Sequence, residues 1–159
     1  MKKDLLNNVI SPPSDMVKVG SPFAIFYMYE MLEKYGCYDF IINSIRENYL
    51  PMLDSDATTV WESFASGTLG REEFPTRSHC HGWSSAPLYF FNRVILGIRA
   101  VSAGGESFEI SPFFAPNLDW AEGSFAAPMG KVEVSWRRNS AGETEVSYKA
   151  PVGVEVKLA

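Results

Sequence analysis

Three groups of side chains in this sequence have the types and spacing to do chemistry. The first is the run Asp56-Ala57-Thr58-Thr59-Val60-Trp61-Glu62, which sets a carboxylate beside an indole in a hydroxyl-rich stretch. The indole offers a flat apolar face and lowers the local polarity. A carboxylate there can accept hydrogen bonds from sugar hydroxyls or deprotonate a water. The same residues also describe a surface glutamate next to a packing tryptophan.

The second group is Ser78-His79-Cys80-His81-Gly82-Trp83-Ser84. Two histidines at i and i+2 can share a metal in an extended segment. No Cys/His pair with ligand spacing lies elsewhere, so neither a metal nor any other cofactor is expected. Immediate neighbours do not face one another as Cys–His nucleophilic catalysis requires. Two readings stay open. A histidine here either donates to a sugar hydroxyl or caps the start of a helix.

The third group is the set of carboxylates. Inverting glycoside hydrolysis needs an acid for the leaving oxygen and a base for the attacking water. Glu62 has the context of a base. Asp54 and Asp56 fall in the same loop, and Glu72 and Glu73 look like solvated loop charges.

The elements that must position these residues change character near residue 100. Residues 1–9 suit a short helix, broken by Ser11-Pro12-Pro13-Ser14. Ser21 and Pro22 suit an N-cap and first helical position, and the segment 23–32 is apolar almost all round, as in a helix buried within a larger assembly. Gly36 closes it. A second helix is expected from Tyr38 to Tyr49, stopped by Pro51. Together they make an αα-hairpin. Residues 52–78 read as a long loop and 84–96 as a third helix, capped by Ser84 or Ser85 and closed by Gly97. From residue 106 the period is two: Phe108 and Ile110; Val132, Val134 and Trp136; Thr144, Val146 and Tyr148; then Val152, Val154, Val156 and Leu158. That pattern predicts an antiparallel sheet with one buried face, part or all of a small sandwich.

Composition narrows the function classes. A 159-residue chain that is 46% hydrophobic and 21% charged is of globular type. With a net charge of −5 and no Lys/Arg run, neither nucleic acid nor an anionic membrane is an expected partner. Cys37 and Cys80 have no CxxC spacing, and no disulfide framework is expected. Neither a signal peptide nor a transmembrane segment is expected in this stretch, which leaves the compartment open. Aromatics make up 14% of the chain. They suit a large core, and equally the C–H faces of a pyranose.

An ordered set of short motifs then resembles a known family. These are Val19-Gly20-Ser21-Pro22-Phe23, Gly36-Cys37-Tyr38-Asp39, Pro51-Met52-Leu53-Asp54, Ala57-Thr58-Thr59-Val60-Trp61-Glu62, Ser78-His79-Cys80-His81-Gly82-Trp83-Ser84, Pro87-Leu88-Tyr89-Phe90 and Leu96-Gly97-Ile98. They are followed by Leu118-Asp119-Trp120-Ala121-Glu122-Gly123 and Gly130-Lys131-Val132-Glu133-Val134-Ser135-Trp136. The order resembles the C-terminal portion of bacterial α-L-rhamnosidases of glycoside hydrolase family 78. The resemblance implies mixed α and β in separate units: the last helices of an (α/α)6 toroid over residues 1–102, then a small antiparallel β-sandwich over 103–159. It implies inverting hydrolysis of terminal α-L-rhamnose, with a rhamnose-containing glycan or glycoside as partner. Glu62 would be the general base. His81, or His79 in its place, would contact the sugar beside Trp61 and Trp83.

The family's general acid lies in an upstream motif dense in Asp, Arg and Glu, and nothing in this sequence matches it. The chain alone is therefore expected to be inactive. A non-catalytic carbohydrate-binding or oligomerisation module is the alternative. Helix faces left exposed in an incomplete toroid would favour a homo-oligomer.

Overall fold

In the computed structural model, which describes residues 2–16, 19–64 and 78–159, the helical patterns come first. Helix α1 spans Lys2–Ile10 and stops where Ser11-Pro12-Pro13 begins. Helix α2 spans Pro22–Glu33, with Pro22 in its first turn. Ser21 holds the N-cap position with extended backbone, but its side chain makes no capping bond. Its carbonyl accepts the Ile25 N–H at 3.0 Å instead. At the other end Cys37 N–H reaches Leu32 O at 3.1 Å and Gly36 N–H reaches Glu33 O at 3.0 Å. That paired closure needs a left-handed residue, and Gly36 supplies it at φ +69°.

Helix α3 spans Tyr38–Asp54 and packs against α2 as an αα-hairpin. It does not stop at Pro51. Proline removes one N–H, but Met52 beyond it is buried, so packing carries the helix one more turn. The Ser55 hydroxyl donates to Pro51 O at 2.8 Å and tidies the last turn. Within this chain only one face of α2 is covered. Ile25, Tyr29 and Leu32 are buried, whereas Phe23 and Tyr27 are exposed. Of the stretch read as a long loop, residues 65–77 lie outside the described residues, among them Gly67, Gly70, Glu72, Glu73 and Pro75.

Two units divide the chain, Met1–Pro87 and Leu88–Ala159. The third helix differs from its expected form. A 3-10 turn at Gly82–Ser84 precedes helix α4 at Ala86–Phe90, which continues as a π-helical turn at Phe91–Ile95. Leu96 N–H reaches back five residues to Phe91 O at 3.0 Å. Ser84 and Ser85 direct their hydroxyls to Trp61 O and Gly82 O.

In the second unit six strands form two three-stranded sheets. Strands β1 (Ile98–Ala100), β2 (Ser107–Ile110) and β6 (Glu155–Leu158) lie in the order β1-β2-β6. Strands β3 (Trp120–Ala127), β4 (Gly130–Arg138) and β5 (Thr144–Lys149) form an antiparallel meander. Ile98, Phe108 and Ile110 from the first sheet share one core with Val132 and Val134 from the second, joined by Leu96. The sandwich is thus present, but it is not wholly antiparallel. β6 pairs with β2 in parallel, Phe108 opposite Val156 and Ile110 opposite Leu158. The meander lies between β2 and β6 in sequence and provides the long crossover a parallel pair needs. The alternating run from Val152 is shorter than its pattern suggests. Val152 is fully exposed in a turn, and only Glu155–Leu158 joins a sheet.

Two buried phenols in the helical unit make a contrast that can be tested. Tyr29 donates to Ser44 Oγ at 2.8 Å. Burial pushes its pKa from 10.0 up to about 12, against the lowering effect of hydrogen bonds to Ser44 and Asn48. Burial, and then Tyr29 itself, hold the Tyr49 phenol up as well. Among the described residues the Tyr49 hydroxyl has no hydrogen-bond partner. An unpaired buried hydroxyl costs about 1–3 kcal/mol, whereas a paired one contributes about 1 kcal/mol. Tyr49→Phe should therefore leave urea stability unchanged or raise it, while Tyr29→Phe lowers it by about 1 kcal/mol. The reverse order would contradict this assignment. Raised phenol pKa values favour the fold in the neutral form. This contribution is complete below pH 10 and is lost as pH rises through about 12, so tyrosinate absorbance should appear together with loss of helix.

Gly97 generates a second prediction. Its φ is +68°, and a Cβ there would lie 2.1 Å from the Ser111 carbonyl carbon. Gly142, at φ +85°, faces open space. Gly142→Ala should cost about 1 kcal/mol and Gly97→Ala at least about 3 kcal/mol by denaturant titration. Equal costs would show that the close approach to Ser111 does not constrain the fold.

Candidate functional site

The candidate residues sit where α3 ends and the chain turns back. Ala57 N–H bonds Met52 O at 3.0 Å and Asp56 N–H bonds Leu53 O at 3.0 Å. This is the same paired closure as at Gly36, made by Asp56 at φ +53°. Asp tolerates the left-handed region better than most side chains. At the head of the Asp56–Glu62 run, then, Asp56 terminates a helix.

Beyond it, two segments lie side by side. Thr59 Oγ1 donates to His79 O. His81 N–H donates to Val60 O at 2.9 Å, and Glu62 N–H donates to Ser78 O at 2.9 Å. The buried Ser84 hydroxyl donates to Trp61 O, and Trp83 Nε1–H donates to Glu62 O at 3.0 Å. The main chain of Glu62 is therefore held on both its N–H and its carbonyl by residues 78–83. Cys80 N–H bonds Ser78 Oγ at 3.3 Å, and the 3-10 turn is closed by Ser84 N–H on His81 O at 3.1 Å.

The rings follow from this pairing. His79 stacks on Trp61 with centroids 4.8 Å apart and planes 26° apart. His81 packs on Trp83 at 4.0 Å. Trp61 is only 6% exposed, so its indole forms the floor of the cluster and His79 covers it. Trp83 is 44% exposed and stands at the surface. Glu62 and His81 are half-buried, His79 exposed. From α2, Phe23 leans on Trp83 with centroids 5.4 Å apart and planes tilted 47°.

All five residues singled out from the sequence thus meet in one cluster: Trp61, Glu62, His79, His81 and Trp83. Two further members were not read as such. Ser84 looks like a helix cap in sequence, and its bond to Trp61 O links positions 23 residues apart. Phe23 is lost in a run of apolar helix residues, where no spacing marks it. Neither His reading as a cap is made by the geometry, since His81 precedes the 3-10 turn without a side-chain capping bond. Among the described residues no group of three or more His, Cys, Asp or Glu is disposed to hold a metal ion, and Cys37 and Cys80 are free thiols. No described helix is long and apolar enough to cross a membrane.

The arrangement sets the His81 imidazole against an exposed indole, Trp83, whose N–H also holds the main chain of Glu62. Comparison with known proteins gives the chain a family. The model of the bacterial α-L-rhamnosidase six-hairpin glycosidase domain matches residues 15–95, and that of the bacterial α-L-rhamnosidase C-terminal domain matches residues 97–159. An α-L-rhamnosidase of Alteromonas sp. (strain LOR) is 25% identical over 143 residues, 88% of this chain and 15% of that protein. The crystal structure of a GH78 family rhamnosidase of Bacillus sp. GL1 superposes with a TM-score of 0.91 at 39% identity, covering 99% of this chain and 17% of that one. An α-L-rhamnosidase from Dictyoglumus thermophilum shares the fold with a TM-score of 0.75 at 24% identity, over 99% of this chain and 18% of that one. The chain spans less than a fifth of the length of each of these relatives. Matched in succession by both domain models, it belongs to the bacterial α-L-rhamnosidase family and corresponds to a C-terminal portion of it.

Proposed function

We propose that this chain supplies the base-bearing end of a site for inverting hydrolysis of terminal α-L-rhamnose. Its helices would be the last of an (α/α)6 toroid, and the sandwich the domain that follows. The observation that carries this reading is the double anchoring of Glu62, with its N–H on Ser78 O and its C=O on Trp83 Nε1. A general base must be held where its water will be, and a residue fixed on both sides by a second segment meets that need.

In the reaction Glu62 takes a proton from water. The water oxygen forms a bond to the anomeric carbon from the face opposite the leaving group. The glycosidic C–O bond breaks with its electron pair on the leaving oxygen, and a general acid protonates that oxygen. His81, held against the exposed Trp83, donates to a sugar hydroxyl. Trp61 and Ser84 act from beneath, Trp61 under His79 and Ser84 through its bond to the Trp61 carbonyl. His79, on the more exposed side, is the second candidate for the sugar contact.

The family's acid motif has no counterpart in this sequence. Removing one partner of an acid–base pair costs about two to four powers of ten in rate, so the 159-residue chain should release no measurable chromophore from an aryl α-L-rhamnoside. Turnover by this chain that disappears in Glu62→Gln would overturn the division of labour. Sugar binding without turnover agrees with it.

A further inference from the structure

We infer that the outer face of the β3-β4-β5 sheet is a second binding site, and that it takes a neutral oligosaccharide. The inference does not rest on the function proposed for the Glu62 cluster, which belongs to the other unit. Alternation along the strands sorts the side chains of this sheet. Val132, Val134 and Trp136 of β4 are buried, so the positions between them turn to the other face. The register sets those positions in cross-strand rows. One row is Glu122, Ser135 and Ser147, and the next is Ser124, Glu133 and Lys149. All six residues line one hollow of about 690 Å³. That volume falls within the range of about 300–1,000 Å³ usual for small-molecule sites. The serines leave the room, because short side chains stand between the long arms of Glu122, Glu133 and Lys149.

Charge and hydrogen-bonding capacity select the ligand. Among the described residues none of these six side chains makes a hydrogen bond or an ion pair. Glu133 and Lys149 are opposite in register and opposite in charge, a favourable cross-strand combination, yet they stay apart. The face therefore offers three hydroxyls that donate and accept, two carboxylates that accept and one ammonium that donates. A polyanion would need a run of cations, and it would meet two carboxylates instead. An apolar helix would need apolar side chains, which these outward positions lack. A neutral polyhydroxylated ligand complements both the charge balance and the mixture of donors and acceptors. The row before Glu122 adds an aromatic surface. It holds Trp120 opposite Arg137, with the guanidinium 5.8 Å from the ring centroid. The cation steadies the indole, which is 51% exposed and can cover the C–H face of a further sugar ring. One sugar in the hollow and one on Trp120 make the preferred ligand a chain and not a monosaccharide.

The test is a magnetic resonance titration of the labelled 159-residue chain with cellotriose, linear mannotriose and a linear L-rhamnotriose, each beside its monosaccharide. At least one trisaccharide should shift the amides of residues 122–124, 133–135 and 147–149 and the Trp120 indole N–H. Its monosaccharide should bind about tenfold more weakly. Ser135→Arg, which fills the hollow, should weaken the trisaccharide by at least about tenfold. Trp120→Ala should reduce the trisaccharide to the affinity of its monosaccharide. If Ser135→Arg lowers the urea midpoint, Trp120→Ala alone decides. These resonances are separate from those of residues 59–62 and 78–84, so either site can fail without the other. No shift in the three strands with any probe up to tens of millimolar would overturn the proposal, as would shifts that survive Trp120→Ala undiminished. A dimer of the unaltered chain that Ser135→Arg dissociates would also overturn it, because the hollow would then belong to a second copy.

Discussion

The pairing of residues 58–62 with residues 78–84 is the constraint on which the site depends. Five hydrogen bonds cross between the two segments, from both backbone and side chains. Each segment is short, and apart from the 3-10 turn at Gly82–Ser84 neither has regular structure. Together they fix one carboxylate-bearing residue, two imidazoles and two indoles in a single cluster. The helices serve this pairing. The closure of α3 at Asp56 launches the first segment, and the 3-10 turn at Gly82–Ser84 ends the second. The half-exposed rings of Phe23 and Trp83 meet at the surface, while Trp61 is buried under His79.

The β unit depends on a different contact. Trp136, 2% exposed, donates its indole N–H to the Ile95 carbonyl at 2.8 Å. A π-helical turn shifts its hydrogen bonds by one residue and leaves end carbonyls in need of partners. The central strand β4 satisfies one of them from inside the core. Leu96 follows at once and packs against Gly123, where a Cβ would lie 2.5 Å from the Leu96 side chain. The end of the helix is thereby fitted into the sandwich by a donor and by a missing side chain.

Much of this was legible in the sequence because it depends on local rules. Gly36 and Gly97 end helices, the β4 alternation of Val132, Val134 and Trp136 is buried as its period implies, and Asn139–Gly142 turns the chain. The candidate residues were legible as motifs, since Trp-Glu and His-Cys-His-Gly-Trp each gather chemically capable side chains in a few positions. What was not legible depends on distant partners. Pro51 lies inside a helix because Met52 packs. Strand β3 was hidden because several of its inward positions are small, Ala121, Gly123 and Ala127, so its period is faint. The parallel pairing of β6 with β2 cannot be seen in either strand alone. Phe23 lacks any local signal, since only its contact with Trp83 separates it from the other aromatics of α2.

The central claim is that the cluster around Glu62 is where this chain meets its sugar. Nuclear magnetic resonance of the labelled 159-residue chain during L-rhamnose titration tests it most directly. The account predicts shifts at the Trp83 indole N–H and at the backbone amides of residues 59–62 and 78–84, with the Trp136 indole N–H unmoved. Shifts confined to the sheets of the second unit, or none in the paired segments at saturating sugar, would contradict it.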